Sequence, residues 1–287
     1  MSKIKKLFTL NHLRNFHEDG GIRKKFKNNL SLNKKSELTI ITVVKNSVYD
    51  IEKTILSVIK QNISAVEYII IDGNSVDDTK KILKKYEDKI DYWCSLDDKG
   101  IYDAINYALQ LATGKIIGVL NAGDIYTDNS LQKVIEYFDK DQNLSFLFGT
   151  VKRYYLGNNM ILKSGFNRKR IRYNFDSATC HSSGLFLKYS VHEELGPYNT
   201  KYKCSSDYDL IFKLLNNEKF IGKSTKINEI IGIVASGGYS SKYGYWNKLF
   251  EETKIRIDNN QNLIWILIIF INSIIKQSIK FIKNKTI

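Results

Sequence analysis

The sequence predicts an α/β protein built on a mostly parallel β-sheet with helices on both faces. Between residues 37 and 138, short β-branched runs alternate four times with longer segments whose apolar residues recur at helical spacing. The loops that follow the predicted strands are rich in Gly, Asp and Asn, which are turn residues. Strands that alternate with helices pair in parallel, because each helix crosses back over the sheet.

The first two strands are the clearest elements. Leu38–Val44 (LTIITVV) and residues 66–71 (VEYIII) are nearly continuous apolar runs, typical of strands that are buried on both faces. Residues 50–61 lie between them and place their apolar side chains on one face of a helix. A second helix is predicted over 76–86, with Ser75 as its N-cap.

The next four elements repeat the pattern. We expect a strand over 91–96, a helix over 102–112, a strand over 115–120 and a helix over 127–138. Gly114 follows the third helix and is a typical helix terminator. Sheets of this kind bind ligands beyond the carboxyl ends of their strands, so the loops at those ends should carry the chemistry.

Four strand-exit loops carry polar residues suited to such a site. Their sequences are Lys45-Asn46-Ser47, Asp72-Gly73-Asn74-Ser75, Asp97-Asp98-Lys99-Gly100 and Asn121-Ala122-Gly123-Asp124. Any one of them is also ordinary turn chemistry, but three contain carboxylates, the ligands of a hard cation that bridges substrate phosphates. The chain has neither a GxxxxGK[ST] nor a GxGxxG motif, so P-loop and Rossmann dinucleotide sites have no support.

The second half of the chain is less periodic. Residues 146–155 and 160–163 flank a Leu-Gly-Asn-Asn turn and predict a hairpin, and residues 184–187 predict a further strand. Residues 164–180 are basic and loop-like, and they suit either an acceptor phosphate or a solvated surface. Residues 237–241 (GGYSS) are expected to form a flexible loop near the site.

The positive charge is concentrated at the two ends. The 287 residues carry a net charge of +14, of which residues 1–36 contribute +8 and residues 254–287 contribute +5, while residues 37–253 are nearly neutral at +1. Basic ends suit an anionic surface. The three cysteines form no CxxC or Cys/His spacing, so neither a structural zinc site nor a disulfide framework is expected, and a reducing cytosol is the simplest compartment.

The C-terminal segment predicts a helix that lies on a membrane. Residues 263–271 are nine consecutive apolar residues, which fall short of the roughly 20 needed to span a bilayer. Lys276, Lys280 and Lys283 then recur on one helical face, as in basic amphipathic helices of the membrane interface. A core-packed or dimer-forming helix and a short spanning segment are the alternatives.

Four motifs over roughly residues 37–235 resemble those of family 2 glycosyltransferases with the GT-A fold. Residues 67–79 (EYIIIDGNSVDDT) look like the DGxSxDxT signature, and residues 97–106 (DDKGIYDAIN) are similar to the D-x-G-x-x-x-A-x-N segment. LNAGD at 120–124 occupies the place of the DXD metal motif, and DYDL at 207–210 resembles the late acidic motif. The four motifs occur in the family's order.

The resemblance implies a role for one carboxylate in each motif. Asp72 would contact the nucleobase or ribose of the donor, and Asp98 would lie beside the nucleotide sugar. Asp124 would bind a divalent cation, Mn²⁺ or Mg²⁺, that bridges the diphosphate. Asp207 would be the catalytic base; its ordinary alternative is a helix N-cap, and Asp209 is expected to be first-turn helix charge.

Four further residues complete the expected site. Lys45 and Asn46 are expected on the donor, with the Lys45 ammonium reaching a phosphate where the family often has an aromatic residue or arginine. Asn121 stands at the first position of the DXD-like motif and is also expected on the donor. His181 is a candidate for the acceptor side, with a structural hydrogen bond at a strand start as its alternative.

These expectations describe an inverting glycosyltransferase, because one base implies direct displacement whereas retention would need a nucleophile that the resemblance does not supply. The donor would be a UDP-sugar first and a GDP-sugar second, and the acceptor a lipid-linked or polysaccharide hydroxyl. A metal-dependent nucleotidyltransferase and a non-catalytic membrane adaptor are the alternatives. We expect a cytoplasmic protein, peripheral on the anionic inner face of the cytoplasmic membrane, with no nucleic-acid partner.

The expected organisation has three parts. A basic N-terminal segment covers 1–36, and a catalytic domain covers 37–240, with its nucleotide-binding half ending at residue 125 and its acceptor half at 126–240. A helical, membrane-associating tail covers 241–287.

Overall fold

The computed structural model describes residues 16–25, 36–154, 160–163, 165–172, 181–235 and 243–285. The first elements are β1 (Phe16–Gly20), α1 (Ile22–Lys25), β2 (Leu38–Val44), α2 (Ile51–Ile59), β3 (Val66–Asp72), α3 (Thr79–Lys85), β4 (Tyr92–Leu96), α4 (Ile101–Leu111), β5 (Ile116–Val119), β6 (Ile125–Tyr126) and α5 (Ser130–Lys140). The later ones are β7 (Leu144–Phe148), β8 (Thr150–Tyr154), β9 (Met160–Lys163), β10 (Leu185–Lys188), α6 (Tyr189–Leu195), α7 (Ser206–Asn216), β11 (Ile221–Ser224), β12 (Ile230–Val234), α8 (Tyr245–Asp258) and α9 (Leu263–Lys285). Two short 3₁₀ helices cover Arg168–Arg172 and Ser182–Gly184.

The predicted α/β class is confirmed, and the main sheet is mixed. Within the described residues its eight strands lie in the order β1-β4-β3-β2-β5-β10-β7-β11. The four predicted strands β2, β3, β4 and β5 pair in parallel, whereas β1 and β10 pair antiparallel with their neighbours. A smaller sheet has the order β6-β12-β8-β9. The parallel pairing of β2 to β5 therefore coincides with the predicted alternation, and the second half adds both antiparallel and parallel pairs.

Apolar side chains of the central strand β2 alternate between two cores, as the two-residue period of a strand requires. Ile41 and Val43 belong to the core that α4 and α7 cover, and Leu38, Ile40 and Val44 belong to the core that α2, α3 and α5 cover. Helices therefore cover both faces of the sheet, and its parallel strands are buried on both sides.

The helix expected over 76–86 begins later, at Thr79. Ser75 does not cap it: its backbone N–H donates to Oδ2 of Asp72 at 3.0 Å, and its hydroxyl donates to the other carboxylate oxygen. The residues before the helix are thus held in the strand-exit loop instead of continuing the helical pattern.

The strand expected over 146–155 is divided at Gly149 between two sheets. β7 lies in the main sheet and β8 in the smaller one, where β8 forms the expected hairpin with β9. A Cβ at Gly149 would lie 2.7 Å from Cγ1 of Ile231, so glycine allows β12 to pack closely where the chain passes from one sheet to the other.

A strand that we did not predict, β1, forms one edge of the main sheet, next to β4. β1 pairs antiparallel with β4, and the guanidinium of Arg23 pairs with the buried carboxylate of Glu67 on β3. Residues 16–25 therefore belong to the main sheet, although they lie within the expected basic segment 1–36. The sequence FHEDG of β1 has neither an apolar run nor an alternation of apolar and polar residues, so it carries no strand signal.

The C-terminal region forms two packed helices. Arg256 of α8 is fully buried and donates to the carbonyl of Ile171 at 2.7 Å, so the expected tail 241–287 begins with a helix that belongs to the body. Ile266 and Ile269 of α9 are buried, whereas several other apolar side chains of that helix are exposed. No helix among the described residues has both the length and the apolarity needed to cross a bilayer.

Candidate active site

The exit loops of β2, β3, β4 and β5 meet at one edge of the sheet, as the parallel pairing requires. We call this edge the rim and define it by residues 45–48, 72–78, 97–100 and 121–124. Each of the three expected donor-side carboxylates, Asp72, Asp98 and Asp124, lies in one of these loops.

Asp72 lies inside its loop and not at the loop surface. Its side chain is fully buried, and its carboxylate accepts hydrogen bonds from the backbone N–H and hydroxyl of Ser75 and from the hydroxyl of Ser95, the last at 2.6 Å. These bonds hold the β3 exit loop against β4. The structure thus gives Asp72 a loop-shaping position, and it does not present this carboxylate to a nucleobase.

The motif residues after Asp72 connect the first two exit loops. The Ser75 hydroxyl accepts from the backbone N–H of Asn46 at 2.8 Å, and the Asn46 carbonyl oxygen Oδ1 accepts from the N–H of Val76 at 2.9 Å. The Thr79 hydroxyl accepts from the N–H of Ser47 at 2.9 Å. Asn46 has a φ of +49°, a conformation that asparagine tolerates better than most residues. The DGxSxDxT motif therefore fixes the loop that carries Lys45.

Lys45 and Asp98 both lie next to Gly73. Lys45 is exposed, Asp98 is partly buried, and the N–H of Gly100 donates to Oδ1 of Asp98 at 3.0 Å. A Cβ at Gly73 would lie 2.4 Å from Oδ2 of Asp98 and 3.3 Å from Cδ of Lys45. Glycine at this position leaves the space that the Asp98 carboxylate occupies, so the structure brings together two of the expected donor-binding side chains.

Asp97 has a partner that the sequence did not indicate. His17 on β1 lies with its Nε2 atom 2.8 Å from Oδ2 of Asp97, and the Asn74 amide donates to Oδ1 at 3.1 Å. Hydrogen bonds from His17 and then Asn74 lower the pKa of the Asp97 carboxyl. The edge strand β1 thus reaches the rim.

The β5 exit loop holds two buried oxygen atoms without a hydrogen-bond partner among the described residues, Oδ2 of Asp124 and Oδ1 of Asn121. The other carboxylate oxygen of Asp124 accepts from the N–H of Ala235 at 2.9 Å, and the Asn121 amide donates to Ser182 Oγ at 3.0 Å. Burial raises the pKa of Asp124 to about 7. Unsatisfied buried oxygens are costly, and carboxylate and amide oxygens are ligands of Mg²⁺ and Mn²⁺, so this pair fits a hard cation.

His181 lies beside the same loop. Its Nδ1 atom is 3.4 Å from Oδ2 of Asp124 and 3.1 Å from the hydroxyl of Ser183. Burial and then the positive charges of Arg153 and Lys248 lower the pKa of His181 to about 4. The imidazole is therefore neutral near pH 7 and can act as a ligand or hydrogen-bond partner at this loop.

Arg153 is a cationic residue of this loop region that sequence reasoning missed. It pairs across the smaller sheet with Val234, whose neighbour Ala235 binds the Asp124 carboxylate. Its charge lowers the pKa of Asp124 and of His181. Arg153 lies near the Asp124 loop because β8 pairs with β12. Its place in the sequence, far from the strand-exit loops, therefore does not indicate that it belongs to the site.

Asp207 is the second residue of α7 and is partly buried. Its Oδ1 atom accepts from the N–H of Tyr208 at 2.9 Å and lies 3.1 Å from the hydroxyl of Tyr102 at the start of α4. Burial raises the pKa of Asp207, and the charge of Lys248 and the Tyr102 hydroxyl offset part of that rise. Ser205 occupies the N-cap position, so Asp207 does not have the N-cap role that we considered as its alternative.

Asp209 has the structural role that we expected. Its carboxylate accepts hydrogen bonds from Lys213 Nζ at 2.6 Å and from the Asn259 amide at 2.8 Å. Arg168 is also structural: its guanidinium donates to the carbonyls of Leu215 and Asn217 at the C-terminal end of α7. These bonds occupy donors of Arg168 that would otherwise be available for an acceptor phosphate.

Several of our expectations fall outside the described residues. They are most of the basic segment 1–36, the Leu-Gly-Asn-Asn turn over 156–159, residues 173–180 of the basic loop, the loop over 237–241, and the side chains of Arg172, Lys280 and Lys283. Within the residues that the structure describes, no three His, Cys, Asp or Glu side chains are grouped so that they could hold a metal ion by themselves. A cation at Asp124 would therefore need oxygen atoms from a substrate, as is usual for Mg²⁺ sites with phosphates.

An open polar groove of about 460 Å³ lies between α4 and the α6–α7 connection. Asp103 and Gln110 of α4 and Lys213 of α7 line it. It contains none of the residues expected in the site. The chemistry of the rim and not the volume of a cavity therefore identifies the candidate active site.

A family model described as glycosyl transferase family 2 matches residues 39–196, which include all the donor-side residues named above. A UDP-Glc:alpha-D-GlcNAc-diphosphoundecaprenol beta-1,3-glucosyltransferase of Escherichia coli is 28% identical over 222 residues, which are 77% of this chain and 84% of that protein. A PGL/p-HBAD biosynthesis glycosyltransferase of Mycobacterium bovis is 25% identical over 169 residues, 58% of this chain and 64% of that protein. The chain thus spans a little less than two thirds of the mycobacterial relative.

The fold is similar to those of solved transferase structures. S. aureus TarS 1–349 in complex with UDP-GlcNAc superimposes with a TM-score of 0.60 at 16% identity, covering 83% of this chain and 72% of that one. The longer TarS structure is matched over 43% of its length. A mannosyltransferase from Pyrobaculum calidifontis in complex with GDP-Man and Mn²⁺ has a TM-score of 0.57 at 13% identity, covering 84% and 70% of the two chains. These similarities confirm the expected GT-A type of α/β fold.

Proposed function

The chain belongs to glycosyl transferase family 2, and on that premise we propose that it transfers a sugar from a nucleotide diphosphate to a lipid-linked or polysaccharide hydroxyl. The observation that carries the proposal is the pair of buried oxygens on Asp124 and Asn121 that have no hydrogen-bond partner among the described residues, at the same sheet edge as Asp98 and Lys45. The first pair suits a cation and the second pair suits the polar groups of a nucleotide sugar.

The donor is proposed to be a UDP-sugar. The names of two similar proteins support this choice, since one uses UDP-Glc and the other was solved with UDP-GlcNAc. A GDP-sugar is the second candidate donor, because a third similar protein was solved with GDP-Man. The family membership argues against the nucleotidyltransferase alternative.

The donor side is proposed to use three loops. Lys45 would neutralise phosphate charge from the exposed end of the β2 exit loop, and Asp98 would accept hydrogen bonds from hydroxyl groups of the nucleotide sugar. Asp124 and Asn121 would hold a divalent cation, with His181 beside them. When bound, such a cation stabilises the negative charge that develops on the departing diphosphate.

Asp207 is proposed to be the base. Its carboxylate would accept the proton of the acceptor hydroxyl while that oxygen attacks the anomeric carbon and the nucleoside diphosphate leaves. One displacement from the opposite face inverts the anomeric configuration. Because burial raises its pKa, the carboxylate is a stronger base than an exposed aspartate, and a positioned base contributes roughly 10²–10⁴-fold to rate.

The acceptor is proposed to be presented at an anionic membrane surface. A lipid-linked acceptor is supported by the diphosphoundecaprenol named for the E. coli relative. Exposed apolar side chains of α8 and α9 form a surface suited to the membrane interface. Its members are Trp246, Phe250, Leu263, Ile264, Trp265, Leu267, Ile268, Ile271 and Ile275. Lys276 follows them, and the charge of this end favours anionic lipid.

The first experiment is a thermal-shift screen of the full chain with UDP, GDP, CDP, dTDP and ADP, each with Mn²⁺ or with EDTA. A ligand at 100 times its dissociation constant stabilises by about 2.7 kcal/mol, so specific binding is visible. We expect a Mn²⁺-dependent shift with UDP. A chain that binds none of the five diphosphates would contradict the proposal and would favour the adaptor alternative.

Transfer itself tests the role of Asp207. Asp207→Asn should keep UDP binding and lose transfer from the UDP-sugar that the screen supports. The matched change Asp209→Asn alters a neighbouring carboxylate that is bound to Lys213, and it should retain transfer. Equal activities of the Asp207→Asn variant and the unmodified protein would exclude Asp207 as the base.

A further inference from the structure

The carboxylate of Glu251 on α8 accepts hydrogen bonds from the backbone of the loop that precedes α7. Oε1 of Glu251 accepts from the N–H of Lys203 at 2.6 Å, and Oε2 accepts from the N–H groups of Cys204 at 2.9 Å and Ser205 at 3.0 Å. The Tyr243 hydroxyl donates to Oε1 at 2.9 Å. A carboxylate that satisfies three consecutive backbone donors makes charge-assisted bonds, which are about twice as strong as neutral ones.

The same loop is held from its other side by α4. The Tyr102 hydroxyl shares its single proton between two acceptors, the carbonyl oxygen of Cys204 at 2.7 Å and Oδ1 of Asp207 at 3.1 Å. The backbone of Cys204 therefore has its N–H bound to Glu251 and its C=O bound to Tyr102. Because Asp207 follows three residues later, a displacement of this segment would also displace the Asp207 carboxylate.

α8 makes further contacts with the same region. The Tyr202 hydroxyl donates to Oδ2 of Asp258 at 2.6 Å, and the Arg256 guanidinium lies over the ring of Tyr208. Lys248 lies one turn before Glu251, and its charge acts on Asp207. The helix α8, which lies in the expected tail over 241–287, thus packs on the segment that carries the proposed base.

We infer that Glu251 is a positioning residue for the reaction, and that it fixes the place of Asp207 by binding the backbone of residues 203–205. The inference rests on the proposed function, because it gives Glu251 a role only through the base. α8 thereby becomes a part of the active-site region, and the surface proposed to meet the membrane is joined directly to the acceptor side of the site.

The test compares Glu251→Gln with Asp258→Asn in the full chain. The glutamine NH₂ group would face backbone N–H donors instead of accepting from them, whereas Asp258→Asn alters another α8 contact with the 202–209 region and leaves residues 203–205 bound. For Glu251→Gln we expect kcat to fall at least tenfold while the dissociation constant for UDP with Mn²⁺ stays within twofold. Asp258→Asn should change neither value more than twofold.

Hydrogen exchange provides a measurement that does not depend on activity. The amides of residues 203–205 should exchange at least tenfold faster in Glu251→Gln and at the original rate in Asp258→Asn. Unchanged kcat, unchanged amide exchange, or an equal loss of kcat and of UDP affinity in Glu251→Gln would each overturn the inference. A wild-type chain that transfers no sugar would instead contradict the proposed function, so the two failures are distinguishable.

Discussion

The hydroxyl of Tyr102 lies 3.1 Å from Oδ1 of Asp207, across 105 positions of sequence. Tyr102 is the second residue of α4, the helix that follows the Asp98 loop, so this contact joins the donor-side motif DDKGIYDAIN to the late acidic motif. Its hydrogen bond also lowers the pKa of a carboxyl that burial raises. Tyr102 therefore affects both the position and the ionisation of the proposed base.

Replacing Tyr102 by phenylalanine should lower kcat about tenfold, equivalent to ~1.4 kcal/mol, a typical cost of losing one buried hydrogen bond. The base acts as the carboxylate, so the rate rises with pH through the pKa of Asp207. Loss of the hydroxyl raises that pKa further, and the acidic limb of the kcat profile should move to higher pH. An unshifted limb would contradict the assignment of Asp207 as the group that titrates.

Asp124→Asn should abolish the Mn²⁺-dependent part of UDP binding, because an amide cannot replace the buried carboxylate charge. Asp128→Asn is the matched control, since Asp128 is exposed and lies four residues further along the chain. Isothermal titration with UDP, in Mn²⁺ and in EDTA, measures the affinity of both variants. The metal assignment is wrong if the UDP affinity of Asp124→Asn differs between Mn²⁺ and EDTA as much as that of the unmodified protein.

Gly73→Ala should weaken UDP-sugar binding at least about tenfold, or ~1.4 kcal/mol. The added methyl would lie 2.4 Å from Oδ2 of Asp98, so that carboxylate must move, while φ at Gly73 is not in the left-handed region and the fold should persist. In an Asp98→Ala background the same change should cost little, because the coupling is lost. Additive losses in the double variant would mean that Gly73 acts independently of Asp98.

His192 should make stability fall in acid. It is fully buried, its Nδ1 atom has no hydrogen-bond partner among the described residues, and burial lowers its pKa from 6.5 to about 4. The unfolded chain therefore binds a proton that the folded chain does not, and stability is lost as pH falls from 6.5 to 4, by about 3 kcal/mol from this group.

His192→Phe keeps a buried ring and removes that titration. Urea unfolding between pH 4 and 7 should show a smaller loss of stability for this variant than for the unmodified protein. Parallel curves would mean that another group causes the acid sensitivity.

The exposed apolar side chains of α9 should bind anionic vesicles. Leu267→Glu with Ile271→Glu removes two of them, and Asn272→Glu with Ser278→Glu adds the same charge to the same helix without removing apolar area. We expect the first pair to reduce sedimentation with phosphatidylglycerol vesicles about tenfold or more. Each of the two substitutions removes an apolar side chain whose burial in the membrane interface contributes ~1.5 kcal/mol or more. Equal binding of the two double variants would contradict membrane contact through this face.

The local pattern of apolar residues was sufficient to predict the parallel strands β2 to β5 of the main sheet. Buried parallel strands such as Leu38–Val44 are continuous apolar runs, and the intervening helices have a periodic apolar face, so both signals are contained in short windows. The same logic placed Asp98, Asp124 and Lys45 at one edge, because parallel strands end on the same side. β1 was missed because an edge strand has no such run, and the division at Gly149 was missed because it depends on where Ile231 packs.

The sequence by itself determined the class of fold, the rim and the four carboxylates of the motifs, since these follow from periodicity and from residue type at strand ends. Only the tertiary structure decided what each polar group contacts. The Asp72 carboxylate accepts hydrogen bonds from Ser75 and Ser95, and Arg153 lies near the Asp124 loop because β8 pairs with β12. Glu251 binds the backbone of residues 203–205. Hydrogen bonds and burial depend on residues that are distant in the chain, and those distances exist only after the helices and sheets have packed.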